Sequence, residues 1–279
     1  MPELPEVEVT RRSFAERIVG ARVISVRVGA PLRWPLGCRP ASLVGRTVGL
    51  VTRRGKYLWL PLAAQAPGHS GGLLLHLGMS GSLAFTDTAA LSPAGKHDHF
   101  DLLTSQGALR LTDPRRFGAV VWSAAIDAAP AATLLSRLGP EPFDEALTPA
   151  DFHAALHRRR APVKPALLAG EVVVGAGNIY ACEALFAAGI DPRMRCCQVS
   201  RPRAERLLAS LRSILARALE LGGSSLRDFR DAHGIDGAYQ RQAHVYGRAG
   251  LPCERCGSSV RRIVQAQRST FFCPGCQKR

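Results

Sequence analysis

Two groups of residues in this 279-residue chain have types and spacings that could do chemistry. The first opens it: Met1-Pro2-Glu3-Leu4-Pro5-Glu6. A small residue such as Pro after Met1 favours removal of the methionine, which would leave a secondary amine followed directly by a carboxylate. A free α-amino group titrates near ~8, against ~10 for a lysine, so far more of it is neutral at physiological pH. A neutral secondary amine attacks an aldehyde-like or glycosidic carbon and yields an iminium ion, a fixed cation that draws electrons from neighbouring carbons. Glu3 would then lie within reach as general acid or base. The plainer reading is a terminus shaped by two prolines, with Pro5 near a first helical turn and Glu6 and Glu8 facing the helix dipole. On this stretch alone the plainer reading wins, because most termini are disordered.

The second group is Cys253-x-x-Cys256, sixteen residues, then Cys273-x-x-Cys276. Each pair is a tight knuckle donating two thiolates, and two knuckles on a hairpin complete a tetrahedral zinc site. With sulfur at all four positions, one Zn²⁺ would be structural and do no chemistry. Arg261, Arg262 and Arg268 lie between the pairs, so the finger would present a basic hairpin to phosphates. The other cysteines, Cys38, Cys182, Cys196 and Cys197, are scattered, which suits a reducing cytosol rather than a disulfide framework. The adjacent Cys196-Cys197 reads as incidental.

Two turns add weaker signals. Gly175-Ala176-Gly177-Asn178 before a helix offers N–H groups to an anion, although an ordinary N-cap explains it as well. Asp113-Pro114-Arg115-Arg116-Phe117-Gly118 sets guanidinium groups beside an aromatic on a turn. Such a tip could enter a duplex and stack in a vacated base position. It could equally be a solvated turn with Phe117 folded into the core.

These residues need elements to hold them. Val7, Arg11, Phe14 and Ile18 recur at helical spacing and Gly20 follows, predicting a helix over 5–19 that tethers the terminus. Short β-rich runs come next: Val23–Val28, Thr47–Thr52, Tyr57–Leu60, Leu73–Leu77, Phe100–Leu103, Leu109–Thr112 and Ala119–Trp122. Turn residues punctuate them, predicting an antiparallel sandwich or barrel. Ala124–Ala132 reads as a hinge. Beyond it the pattern turns helical, with a capped helix from Thr148 to Arg158-Arg159-Arg160, a second over Ile179–Ala188 and a third over Pro202–Leu221. Ser224–Tyr239 reads as a mobile loop.

The totals bound the partner. Lys and Arg number 37 against 22 Asp and Glu, a formal charge of +15, which suits a polyanion or a merely basic protein. Nearly half the residues are apolar, enough for real cores in one large domain or two. No apolar run reaches membrane length, since Leu43–Leu62 is broken by Arg46 and by Arg53-Arg54-Gly55-Lys56. The acidic, Pro-rich start is the opposite of a signal peptide, so a cytoplasmic location is expected.

Taken together, the motifs resemble the formamidopyrimidine-DNA glycosylase family of bacterial base-excision enzymes. The likeness runs the length of the chain, through Pro2–Glu8, Arg54-Gly55-Lys56-Tyr57-Leu58, His76-Leu77-Gly78-Met79-Ser80-Gly81, Lys96-His97-Asp98-His99 and Asp113–Gly118. It continues through Lys164-Pro165, Gly177-Asn178-Ile179-Tyr180, Val245-Tyr246-Gly247-Arg248 and the four-cysteine segment with Gln267-Arg268-Ser269-Thr270.

The resemblance implies an α+β protein. Residues 1–130 would form an N-terminal helix and β-sandwich, 131–240 a helical domain with a helix–two-turns–helix element, and 241–279 a zinc finger. It implies damaged double-stranded DNA as partner, 8-oxoguanine and ring-opened purines as lesions, and a monomer. By its match Pro2 would be the nucleophile on C1′ and Glu3 the proton donor and acceptor, with Lys56 assisting the first elimination and Arg268 the second. Met79, Arg115 and Phe117 match the wedge that fills the gap left by a flipped nucleotide. His97, Arg115, Arg159, Lys164 and Asn178 match positions on the DNA backbone, and Ser224–Tyr239 matches the loop over the everted base.

Departures touch base preference only. Leu167-Leu168-Ala169-Gly170 lacks the usual acidic residue, and Asp236-Gly237-Ala238-Tyr239 differs from typical lesion loops. The sister branch, endonuclease VIII, removes oxidised pyrimidines with the same amine, but Leu4 and the Asp113–Gly118 turn are closer to the purine branch. A non-catalytic zinc protein would explain the charge and the thiolates. It would leave Pro2, Glu3 and Lys56 without a task.

Overall fold

The first described element is the predicted helix, α1 (Leu4–Ile18), with Pro5 in its first turn. Glu3 and Glu6 cap it reciprocally: the Glu6 carboxylate accepts from Glu3 N–H at 2.8 Å, and the Glu3 side chain accepts from Glu6 N–H. Val7, Phe14, Ala15 and Ile18 form its buried stripe. A computed structural model of the chain describes residues 2–64, 70–224 and 238–279. The predicted loop over Ser224–Tyr239 therefore lies largely outside the described residues.

The chain divides into two compact units, residues 1–136 with 222–237, and residues 137–221 with 238–279. In the first unit the elements after α1 are β1 (Val23–Val28), β2 (Thr47–Val48), β3 (Thr52–Arg54), β4 (Tyr57–Ala63), β5 (Gly71–His76), β6 (Ser82–Thr86), β7 (Asp98–Thr104), β8 (Gly107–Thr112), β9 (Ala119–Ser123) and α2 (Ala131–Leu135). Among the described residues one antiparallel sheet has the order β1-β7-β8-β6 and the other β2-β4-β5-β9, with β3 also paired to β4. Alternation along the strands explains the sandwich. Leu58, Leu60 and Leu62 of β4 meet Phe100, Leu102, Leu109 and Leu111 of the other sheet, and α1 closes the same core. The opposite face of β4 and β5, Trp59 and Leu74, packs on Ala131 of α2. Gly71 and Gly72 are where two indoles press on β5: a Cβ at either would sit 2.4–2.5 Å from the Trp122 or Trp59 ring.

The predicted strand Thr47–Thr52 is instead two, split at 49–51. Pro61 of β4 faces this gap and has no N–H to continue the ladder, so only Gly49 N–H to Pro61 O (2.9 Å) bridges it. The predicted hinge at Ala124–Ala132 is tied back to the sheet, since Ser123 Oγ donates to Ala128 O at 3.0 Å. The division between units comes after Ser136.

The second unit carries α3 (Pro149–His157), α4 (Val163–Ala169), α5 (Asn178–Ala187), α6 (Arg201–Glu220) and the hairpin β10 (Arg261–Gln265) with β11 (Arg268–Phe272). The predicted capping of α3 is present, with Asp151 N–H donating to Thr148 Oγ1 at 3.1 Å. Phe152 and Leu156 of α3, Val163 and Leu167 of α4, Tyr180 and Leu185 of α5, and the Leu207–Leu215 stripe of α6 share one core. Sequence periodicity gave no sign of the two-turn α4. α5 is buried from Asn178 to Phe186, its two polar side chains, Asn178 and Glu183, included.

Candidate DNA-repair active site and zinc finger

In the first unit the chain start is held rather than frayed. Pro2 is buried and Glu3 is 2 % exposed. Glu6 holds Glu3 N–H with one carboxylate oxygen and Ser224 N–H, at 2.8 Å, with the other. Lys56 stands on the turn between β3 and β4, after Gly55 in the left-handed region (φ +57). Its charge acts on His76, one β-ladder step away: Tyr57 is the ladder partner of His76, and the two rings lie 4.7 Å apart. The His76 imidazole is held down at about 4, first by burial and then by the Lys56 and Arg33 charges, with Asp113 opposing. It is therefore neutral, and its Nδ1 accepts from Gly78 N–H at 3.0 Å, which puts the ring proton on Nε2.

The two turns that the resemblance matches to a wedge form one structure. Asp113 is fully buried; its carboxylate accepts from Ser80 Oγ (2.7 Å), Arg115 N–H (3.2 Å) and Gly118 N–H (2.7 Å). Gly78 (φ +64) lies so close to the other turn that a Cβ there would be 2.4 Å from Gly118 N. So the turn bearing Met79 and the turn bearing Arg115 and Phe117 cannot shift independently. Met79 is half-buried and His97 exposed. Phe117 is 44 % exposed, not folded into the core, with the Arg115 guanidinium 5.0 Å from its ring centre.

In the second unit Lys164 is fully buried. Its ammonium donates to Asn178 Oδ1 (2.5 Å), Thr270 Oγ1 (2.8 Å) and Ser269 O (3.3 Å). Asn178, at the start of α5, donates to the same Ser269 O at 2.9 Å. Lys164 thus fastens Asn178 to the two residues after Arg268. Arg159 bonds Ala155 O (2.5 Å) and Glu171 (3.4 Å). Arg268 opens β11 immediately after Ala266 (φ +46) and Gln267 (φ +59), a hairpin turn that holds two non-glycine residues in the left-handed region.

The four predicted thiols converge: the Sγ atoms of Cys253, Cys256, Cys273 and Cys276 all lie within 4.8 Å of one another. Cys253–Cys276 and Cys256–Cys273 are 3.8 and 3.4 Å apart. Tetrahedral Zn–S bonds of about 2.3 Å imply S···S edges of about 3.8 Å, so the cluster fits one zinc ion with no coordination position left over. Glu183 secures the approach to this finger, its buried carboxylate accepting from the N–H groups of His244, Val245 and Tyr246 at 2.8–3.0 Å.

Sequence reading alone did not single out Glu6, Glu8, Arg53 or Asp113 as residues that hold the site. The Asp-Pro-Arg turn and the acidic first turn of α1 were the available signals.

Three family models match successive parts of the chain: the formamidopyrimidine-DNA glycosylase N-terminal domain over residues 1–120, its H2TH domain over 138–230, and the zinc finger found in FPG and IleRS over 250–279. A formamidopyrimidine-DNA glycosylase of Variovorax paradoxus is 59 % identical over 279 residues, covering 100 % of both chains. The MutM (FPG) protein of Thermus thermophilus is 40 % identical with a TM-score of 0.86, covering 99 % of this chain and 98 % of that one. A Lactococcus lactis FPG mutant, solved in complex with Fapy-dG containing DNA, is 34 % identical with a TM-score of 0.88 over 100 % of both. Matched in succession by these three models and over its whole length by such relatives, the chain belongs to the formamidopyrimidine-DNA glycosylase family.

Proposed function

We propose that the chain is a bifunctional DNA glycosylase and AP lyase that excises 8-oxoguanine and ring-opened purines from duplex DNA. The observation that carries this reading is the fixed chain start: Pro2 and Glu3 are buried against the capped end of α1. The complex of the Lactococcus lactis relative with Fapy-dG containing DNA supports a ring-opened purine as substrate.

With Met1 removed, the Pro2 nitrogen attacks C1′ and its proton passes to Glu3. The glycosidic bond breaks as the base leaves with its electron pair and takes a proton from solvent, while Glu3 passes the proton it received to O4′ and the sugar ring opens to an iminium. That cation acidifies C2′–H; loss of that proton expels the 3′ phosphate with the C3′–O electron pair, and loss of the C4′ proton from the conjugated iminium so formed expels the 5′ phosphate with the C5′–O pair. Water then releases the enzyme. Lys56 assists the first elimination and Arg268 the second.

The wedge is Met79, Arg115 and Phe117. Phosphates are held by His97, Arg115, Arg159 and Asn178, with Lys164 setting Asn178 in place. In this scheme residues 1–130 carry the chemistry, while 131–240 and the zinc finger 241–279 grip the duplex. Held by Cys253, Cys256, Cys273 and Cys276, one zinc ion would give the β10–β11 turn a fixed support and take no part in the chemistry. We further propose a monomer acting in the cytoplasm; no described helix is long and apolar enough to cross a membrane.

The test is borohydride trapping with a duplex carrying 8-oxoguanine opposite cytosine, followed by mass spectrometry of the adduct. A sugar bonded to Pro2 is the expected result. An adduct on another residue overturns the mechanism, and preferential excision of thymine glycol would move the chain to the pyrimidine branch.

A further inference from the structure

A buried carboxylate on α1 has no part in the reaction as described. Glu8 is 7 % exposed, yet it gathers three guanidinium groups. Arg11 forks onto it at 3.0 and 2.8 Å, Arg12 bonds it at 2.8 Å and Arg53 at 3.1 Å. Two of these arginines reach onward. Arg11 Nη1 donates to Val51 O at 3.2 Å, and Arg53 Nη1 donates to Gly55 O at 3.0 Å. Those carbonyls lie immediately before β3 and immediately after it. Arg12 is the exception: its side chain is 60 % exposed, and among the described residues Glu8 is its one hydrogen-bond partner.

β3 is only three residues long and paired on one side, to β4, so its own ladder fixes it weakly. Glu8 supplies what the ladder lacks. It clamps both ends of β3 to the helix that starts at Leu4, directly after Pro2 and Glu3. The residue after the clamped Gly55 carbonyl is Lys56. Gly55 itself sits at φ +57, so the turn that aims Lys56 is set by backbone geometry at that carbonyl.

We infer that Glu8, acting through Arg53 and the Gly55 carbonyl, is a positioning residue that holds the Lys56 amine in register with the Pro2 amine. This rests on the reading of Pro2 and Lys56 given above. Glu8 touches no reacting atom. Its contribution is geometric, and a misplacement of about 1 Å at a catalytic group can cost about a hundredfold in rate.

The experiment is single-turnover borohydride trapping with the 8-oxoguanine duplex, using the full zinc-loaded chain. Glu8→Gln removes the charge that gathers the arginines. Arg53→Lys keeps a cation beside Glu8 but loses the fork that reaches Gly55, and carries the test should Glu8→Gln fold poorly. Both are expected to slow trapping about tenfold with DNA affinity within about twofold of wild type. In a Lys56→Ala background the same changes should alter the rate less than about twofold, because the group they place is gone. Arg12→Ala, which loosens Glu8 without touching β3, should stay within about twofold of wild type.

Equal slowing in the presence and absence of Lys56 would reduce Glu8 to a purely structural residue and overturn the inference. So would wild-type rates in both variants, or slowing by Arg12→Ala to match Arg53→Lys. Wild-type protein that traps no DNA on Pro2 would remove the parent reading and this inference together. A wild-type adduct on Pro2 with additive effects removes only the inference.

Discussion

Glu6 and Ser224 lie 218 positions apart in sequence and share a 2.8 Å hydrogen bond, Ser224 N–H to Glu6 Oε1. The other oxygen of the same carboxylate holds Glu3 N–H. One side chain therefore fixes both the chain start and the residue where the 225–237 segment departs. Gly223 crowds this contact from the left-handed region (φ +83), where a Cβ would fall 3.0 Å from Glu6 Oε1. Gly223→Ala should cost about 1–2 kcal/mol from backbone conformation alone. Glu6→Gln, which keeps one acceptor for two donors, should cost about 1–3 kcal/mol. Urea unfolding measures both, and a Gln variant as stable as wild type would show that the carboxylate is not shared.

Ser80→Ala removes one of three donors on a fully buried Asp113 carboxylate and cuts the side-chain link between the Met79 turn and the Arg115–Phe117 turn. A loss of about 1–3 kcal/mol in stability is expected. Slower disturbance of the base opposite the lesion should accompany it, followed by 2-aminopurine fluorescence at that position. If the fluorescence rate is untouched, the Gly78–Gly118 approach alone couples the turns.

Acid should destabilise the first unit in two separable steps. His76 titrates near 4 in the folded chain rather than 6.5, so the unfolded state binds the extra proton between those values. Stability is complete above pH 6.5 and falls toward pH 4, by roughly 2–3 kcal/mol. Glu8 is lowered from 4.5 to about 2, with the Arg11 and Arg12 hydrogen bonds outweighing a desolvation that pulls the other way. Its contribution is present above pH 4.5 and lost as pH falls through 2, about 1–2 kcal/mol after allowance for solvent screening. Unfolding free energies from pH 7 to pH 2 should show the first step vanish in His76→Gln and the second shrink in Glu8→Gln, with a remainder from Asp101, whose carboxyl, against its burial, the Arg110 and Arg27 hydrogen bonds also hold below the usual range.

Salt dependence separates two roles for Lys164. A lysine on a phosphate contributes about one unit to the slope of log K against log salt. Buried on Asn178, Ser269 and Thr270, Lys164 should contribute none. Lys164→Met is expected to weaken binding and destabilise its unit by about 3 kcal/mol or more while the slope stays unchanged. A slope shallower by about one would place its charge on the DNA.

Cys273→Ala breaks a four-sulfur set that has no spare ligand. Zinc content should fall to zero, and DNA affinity and excision should fall together, because Arg268 depends on a hairpin adjoining that cluster. Full excision by the zinc-free variant would show that the finger does not place Arg268.

The legible parts of the molecule were the local ones. Helix 5–19, the Thr148 cap and the paired Cys-x-x-Cys knuckles follow from spacing within a few residues, and the α1, α3 and four-thiol geometry match them. The split of Thr47–Thr52 depended on Pro61 in a neighbouring strand, and α4 was too short to show a period. The Lys164 and Glu6 contacts join residues more than a hundred positions apart, which no local pattern encodes. The resemblance matched Lys164 to a position on the DNA backbone; a lysine is rarely fully buried without partners, and two of the partners that bury this one lie far along the chain at 269 and 270.

The glycine pair on β5 has an optical consequence. All three tryptophans, Trp34, Trp59 and Trp122, belong to the first unit, and two of them press on that strand. The second unit has only tyrosines as large phenolic or indole fluorophores, at 180, 239 and 246. Indole emission therefore follows the melting of the sandwich alone, while collapse of the metal-bearing half passes unseen at that wavelength and emerges only in tyrosine emission or far-ultraviolet dichroism.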